Sequence, residues 1–188
     1  MKPWLLNILA CPIDKHHPLE ARFFTWETSQ DELKKAVIET GTPSATFKKS
    51  YGQLAKQLKD GTISPIAIRA IEDLTNSNDS KELLACAIEA MNRLEQSLDK
   101  PEKELLQEFA EDIDRLHRFL NLLEVDAGLL VCTECGRWYP VGSSVETIPE
   151  LLPDDLRDRE RDVAWLERWR ELIPSKVLED GKPFSLDD

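Results

Sequence analysis

The sequence predicts an α+β protein: a small zinc-knuckle β-domain built from both chain ends, with a helical insertion between them and a C-terminal helix after them. Three observations carry that expectation. A Cys132-x-x-Cys135-Gly136 turn stands between two β-rich stretches, 126–131 and 137–141. A second cysteine-bearing turn, Cys11-Pro12-Ile13-Asp14-Lys15-His16-His17, lies at the other end of the chain. Between them, apolar residues recur at three- and four-residue spacing, the signature of amphipathic helices.

Two thiolates two residues apart on a tight turn can both reach one metal, and a glycine just after the second relieves the backbone there. Tetrahedral sites of thiolate and imidazole favour zinc and take four ligands. Cys132 and Cys135 supply two and Cys11 a third. For the fourth place Asp14, at the spacing of a second cysteine, competes with His16. The metal candidates are therefore Cys11, Asp14, His16, Cys132 and Cys135. If both ends meet on one metal, residues 1–28 plus 126–155 form one discontinuous knuckle domain. Residues 29–125 are then a helical insertion, and 156–188 a C-terminal helix with an acidic tail. A redox pair of the thioredoxin kind would sit at the start of a helix in a βαβ setting. Here Gly136 and an aromatic stretch follow instead, which favours a structural knuckle.

Residues 3–10 carry Trp4, Leu5, Leu6, Ile8 and Leu9, a short helix or turn with one apolar face. Residues 18–26, with Phe23-Phe24-Thr25 at their centre, read as a strand. Helices are expected over 31–39, stopped by Gly41, over 45–59, stopped by Gly61, and over 65–74. The longest helical patterns follow. One runs through Leu84, Ala87, Ile88, Met91, Leu94 and Leu98. The other runs from Leu105 to Leu123, after a break at Lys100-Pro101 where Asp99 is the expected N-cap. So short a link makes the two an antiparallel pair. A hairpin closed by the Cys132–Cys135 turn comes next, then the extended Ile148–Pro153. A last helix capped by Asp154 or Asp155 follows, with Leu156, Val163, Leu166, Trp169 and Ile173 on one face. The tail after Pro174 reads as polar and loosely ordered.

Composition narrows the function. The 188 residues carry a net charge of −12, with 41% hydrophobic and 32% charged content, an ordinary globular balance. Binding of nucleic-acid backbone draws on clustered Lys and Arg, so this chain is not expected to grip RNA or DNA by itself. No apolar run spans a membrane, and the start has no long apolar leader, so the cytoplasm is the expected location. There four cysteines read as metal ligands or buried thiols rather than disulfides. Cys86, flanked by Ala85 and Ala87, reads as a small buried thiol, and His117 as a satisfied or surface histidine. No phosphate-binding loop, activated nucleophile or methyl-donor motif is present, so no catalytic residue is expected.

Three blocks in order carry a resemblance: Lys2…Leu5-Leu6…Ile8-Leu9…Cys11-Pro12, then Cys132-x-x-Cys135-Gly136-x-x-Tyr139-Pro140, then Ile148-Pro149-x-Leu151-Leu152-Pro153. Together they resemble the small activator subunit shared by S-adenosylmethionine-dependent methyltransferases of tRNA, rRNA and translation release factor. The resemblance covers roughly 1–26 and 126–155. It implies a non-catalytic partner, zinc-bound, that forms a heterodimer with a methyltransferase by pairing an edge strand with its sheet. Carried onto this sequence, the matching strand is about 138–143, and the implied partner-binding residues are Trp138, Tyr139, Val141, Ile148 and Pro149. Two features depart from the family's pattern. Asp14 stands where many members have cysteine, and the turn over 142–147 is longer than the compact Gly-Ile-Pro form. The alternative from another class is a free-standing zinc-ribbon protein that binds nucleic acid.

Overall fold

The computed structural model, which describes residues 1–187, joins sequence-distant strands in one mixed sheet. Its strands are β1 (Glu20–Trp26), β2 (Ile71–Asp73), β3 (Val125–Val131) and β4 (Trp138–Val141), in the order β2-β1-β3-β4. β1 and β3 are antiparallel, with Ala21 opposite Leu130, and β3 and β4 form the expected hairpin, with Leu130 opposite Tyr139. The fold class is α+β, as the sequence predicts.

Alternation along the strands gives each face its own cover. Ala21, Phe23, Leu130 and Tyr139 belong to one core, packed beneath helices α1 (Gln30–Glu39), α2 (Lys48–Lys59), α3 (Pro65–Arg69), α4 (Asn78–Glu95), α5 (Glu102–Glu108) and α6 (Ala110–His117). Phe24, Leu129 and Trp138 belong to a second, smaller core. It is covered by α7 (Arg159–Arg168) and α8 (Ser175–Asp180) through Trp165, Leu166, Ile173 and Val177. Ordinary alternation sends Phe23 and Phe24 to opposite faces, and the pairing register shifts between Phe23 and Thr25.

Local chemistry sets the helix starts. Ser29 and Glu32 form a reciprocal capping box on α1, while Ser64, Ser77 and Asp158 cap α3, α4 and α7 through their side chains.

Several expectations are corrected. The helix expected over 65–74 ends at Arg69, and Ile71–Asp73 pairs in parallel with Ala21–Phe23. Without that pairing the outer edge of β1 would keep unpaired backbone groups beside a buried core, a cost greater than ending a short helix. The helix expected from Leu105 to Leu123 is broken at Phe109, whose φ of −116° and ψ of 29° are not helical. The break lets α5 pack against α2 while α6 packs against α4. Asp99 does not cap α5; Pro101 holds that position without a side-chain cap. Asp158, not Asp154 or Asp155, caps α7. Residues after Pro174 form α8 and then pair with the sheet, so the tail is more structured than its polarity suggests.

One buried carboxylate ties the helical layer together. Asp114, on α6, accepts hydrogen bonds from the Tyr51 hydroxyl at 2.6 Å, the Gly41 N–H at 2.9 Å and Arg118 Nε at 2.8 Å. It thereby connects the C-terminal end of α1, the middle of α2 and the turn after α6. His117 packs beside it against the Phe47 and Tyr51 rings, and burial pushes its imidazole below the usual range. Cys86 stays a half-buried thiol, pushed up chiefly by burial. Replacing Asp114 with Ala leaves the buried Arg118 with only the Glu39 carboxylate at 2.9 Å and leaves the Tyr51 hydroxyl and Gly41 N–H without their acceptor, a loss of about 1–3 kcal/mol. Urea denaturation of Asp114→Ala is expected to show a loss of that size; an unchanged midpoint would refute the network's role.

Candidate functional site

Two turns with the same backbone design face each other where the chain ends meet. In the first, Lys15 N–H donates to Cys11 O and Cys11 N–H to His16 O, both at 3.0 Å. In the second, Gly136 N–H donates to Cys132 O at 3.0 Å and Cys132 N–H to Arg137 O at 2.8 Å. The left-handed position is filled by Gly136, at φ 72°, in one turn and by Lys15, at φ 65°, in the other. Register by register, Cys11 corresponds to Cys132, Asp14 to Cys135, and His16 to Arg137.

The Cys11, Cys132 and Cys135 sulfurs and an Asp14 oxygen all lie within 4.8 Å of one another. Cys11 Sγ is 3.7 Å from Cys135 Sγ, and Cys132 Sγ is 3.4 and 3.6 Å from the two Asp14 oxygens. Tetrahedral zinc, with bonds of about 2.3 Å to sulfur and 2.0 Å to oxygen, separates two sulfurs by about 3.8 Å and a sulfur from an oxygen by about 3.5 Å. The Cys11–Cys135 and Cys132–Asp14 separations match such an ion, and the other pairs lie within 4.8 Å. The four groups could hold a metal, and their donor set is consistent with zinc.

The electrostatics suit a cation. Cys11 and Cys132 are fully buried, and burial pushes the Cys132 thiol up to about 12. A bound cation would offset that cost by stabilising the thiolate. The His16 N–H donates to Asp14 Oδ1 at 2.9 Å; this bond first, and the Cys11 thiol second, hold the Asp14 carboxyl well below the usual carboxylate range. Tyr139 Oη lies 3.1 Å from Cys11 Sγ, placed to donate to a thiolate there. Burial pushes that phenol's own ionisation up, so it stays a donor.

The geometry thus favours Asp14 over His16 as fourth ligand. The His16 side chain lies outside the cluster, with Nε2 at 3.1 Å from Thr133 Oγ1, a contact between the two turns.

The sequence-predicted partner residues are not brought to one exposed face. Trp138, Tyr139 and Val141 are fully buried, Trp138 beneath α7 and Tyr139 and Val141 in the larger core. Their aromatic and apolar character reflects the two cores on either side of β4. Ile148 is exposed and Pro149 half-buried, the latter bridging to Val141.

The outer edge of β4, a sheet edge by strand order, is occupied by the chain itself. Trp138 N–H donates to Lys182 O and Lys182 N–H to Gly136 O, both at 3.1 Å. Further along, Gly142 N–H donates to Ile148 O at 3.0 Å and Glu150 N–H to Pro140 O at 2.9 Å. Lys182 escaped the sequence reading because its part is played by backbone alone, and no side-chain pattern marks such a contact.

A family model described as Trm112p-like protein matches residues 2–142, which contain both turns and every strand. No curated protein matches the chain significantly. Residues 143–187, including α7 and α8, lie outside the matched range.

Two outcomes are expected at the cluster. Elemental analysis of the purified chain should find about one zinc per molecule, lost in Asp14→Ala and Cys132→Ser and kept in His16→Ala; retention in Asp14→Ala would remove Asp14 from the ligand set. Lys15→Gly relieves a left-handed strain that costs a side chain about 1 kcal/mol or more, part of which returns as unfolded-state entropy. Its melting temperature should rise by a few degrees, and a fall would contradict the equivalence of the two turns.

Proposed function

The chain belongs to the Trm112p-like family, and from that premise we propose that it is a non-catalytic subunit that binds, stabilises and activates S-adenosylmethionine-dependent methyltransferases. Their substrates are tRNA and other components of translation, and the complex is a cytoplasmic heterodimer in which the partner holds the methyl donor and the catalytic residues. The family match over residues 2–142 is the observation that carries this reading. In the same proposal, residues 1–28 with 126–155 are the metal-binding unit and 29–125 the helical insertion, with 156–188 as a C-terminal extension. Cys11, Asp14, Cys132 and Cys135 hold a structural zinc that pins the two turns, and with them β1 and β4, in register.

Docking through β4 is proposed as strand addition along its outer edge around 138–143, with Ile148 and Pro149 beside it. In that mode main-chain hydrogen bonds give affinity, and flanking side chains give specificity. Trp138, Tyr139 and Val141 then act from beneath, by fixing the strand on its two cores. Ile148, half exposed at 50%, is the side chain placed to meet a partner. The nucleic-acid-binding alternative is not favoured, because a net charge of −12 opposes a polyanion.

A tagged full-length chain is expected to recover a methyltransferase at about one-to-one stoichiometry, identified by mass spectrometry, and added chain should raise that enzyme's turnover. Ile148→Asp should reduce recovery severalfold while leaving the melting temperature unchanged. Trp138 is unsuited to this test because its burial would turn a binding variant into an unfolded one. A preparation that carries RNA and no methyltransferase would refute the proposal.

A further inference from the structure

The outer edge of β4 and the Trp138 face of the sheet are both covered by one continuous piece of chain that lies beyond the family-matched residues. On the edge, Lys182 exchanges backbone hydrogen bonds with Gly136 and Trp138 as a neighbouring strand would. On the face, the Trp138 ring lies under the Arg157 guanidinium, 4.6 Å from its centroid, and stacks on Trp165 at 5.8 Å and 13°. Trp138 Nε1 donates to Phe184 O at 2.9 Å. The outward side of Trp138, its indole N–H and its backbone N–H are thus met by residues 157–184.

This seam, like the Asp114–Arg118 pair in the helical layer, carries buried charge. It holds an ion pair, Arg157 Nε to Asp162 Oδ2 at 2.6 Å, with both side chains fully buried. Among the described residues, Arg157 Nη2, Asp162 Oδ1, Trp165 Nε1 and Trp169 Nε1 are buried without a hydrogen-bond partner. Buried charge and unpaired polar groups weaken a contact relative to the apolar packing it replaces. The larger core on the other face is apolar at its centre, with Phe23, Leu54, Leu83, Leu116, Leu120 and Leu130 all buried.

We propose that the C-terminal segment 175–187 is an intramolecular stand-in for a partner strand, which closes the Gly136–Trp138 end of the β4 edge in the free chain and leaves it when a methyltransferase docks, while residues 148–150 stay on the other end. The inference rests on the methyltransferase reading above and adds to it that docking is an exchange of one strand for another. The apparent affinity of the chain is then reduced by the fraction of molecules whose edge is closed, and loosening the segment restores it.

Gly181 offers a way to loosen it in the full-length chain. A Cβ there would lie 2.3 Å from Val177 O and 2.9 Å from Trp138 Cδ1, so Gly181→Val must push the segment off Trp138. Val177→Asp is a second variant, placing a charge where Val177 is buried against the same core. The probe is the methyltransferase recovered with the wild-type chain. Association rates are compared among the three chains, and amide hydrogen exchange is followed in the wild type, free and bound. The expected result is association about tenfold faster for a folded variant, and faster exchange of 175–187 in the complex while 138–142 stays protected. If 175–187 remains protected in the complex, or a folded variant associates no faster, the stand-in is refuted while the methyltransferase reading survives. If no chain recovers a methyltransferase, both fall. Should Gly181→Val fail to fold, Val177→Asp and the wild-type exchange decide the question.

Discussion

The structure depends on a short-range meeting of residues far apart in the chain. Cys11 and Cys135 are separated by 124 positions and their sulfurs by 3.7 Å. Any bond across so long a loop must offset a closure entropy that grows with loop length, slowly but from a substantial base. Three sulfurs and a carboxylate oxygen within 4.8 Å of one another could hold a metal suited to that, since a structural metal contributes its binding free energy directly to folding. Once the two turns are fixed, the strands leaving them are fixed as well. β1 follows the first turn, β3 enters the second, and β4 leaves it, so the centre of the sheet is set by the cluster.

Much of this was legible because it is written in residue types with narrow chemical uses. Cys-x-x-Cys-Gly followed by an aromatic stretch marks a knuckle and a hairpin, and the three- and four-residue spacing marks the helical layer. The choice between Asp14 and His16 was not legible, because both residue types bind zinc and both lie within reach of the turn. Asp14 is favoured by its place in the cluster and by a backbone equivalence, Lys15 with Gly136, that no composition rule reveals. β2 was missed for a related reason. Ile71–Asp73 is too short to show a period of its own, and its conformation is imposed by the open edge of β1. Phe109 carries no breaker signal either; the break accompanies a change from α5 packing on α2 to α6 packing on both α2 and α4.

Trp138 shows how an accurate reading of character can still mislead about exposure. Its apolar surface was read from the resemblance as a face for a partner, and the chain covers that face itself with Trp165 and Arg157. The tail after Pro174, read as polar and loosely ordered, adds Lys182 and Phe184 to that cover. Average polarity is a weak guide where a few residues in contact, and two backbone hydrogen bonds, make the attachment. The same face also buries charge, as the Arg157–Asp162 pair shows.

The order of the strands in the sheet has a consequence for how the protein is made. Glu20 of β1 lies opposite Val131 of β3, so the central pairing joins an early part of the chain to a late one. A ribosome adding about 5–20 residues per second needs roughly 5–20 s to make the stretch between them. Throughout that interval the nascent chain carries Phe23 and Phe24 on a strand without its main neighbour, and a Cys11 turn without its counterpart. The helices between can pair locally as they emerge, which gives the waiting strand a surface to rest on before the sheet closes. Production of this protein is therefore expected to be sensitive to translation speed and to chaperone supply.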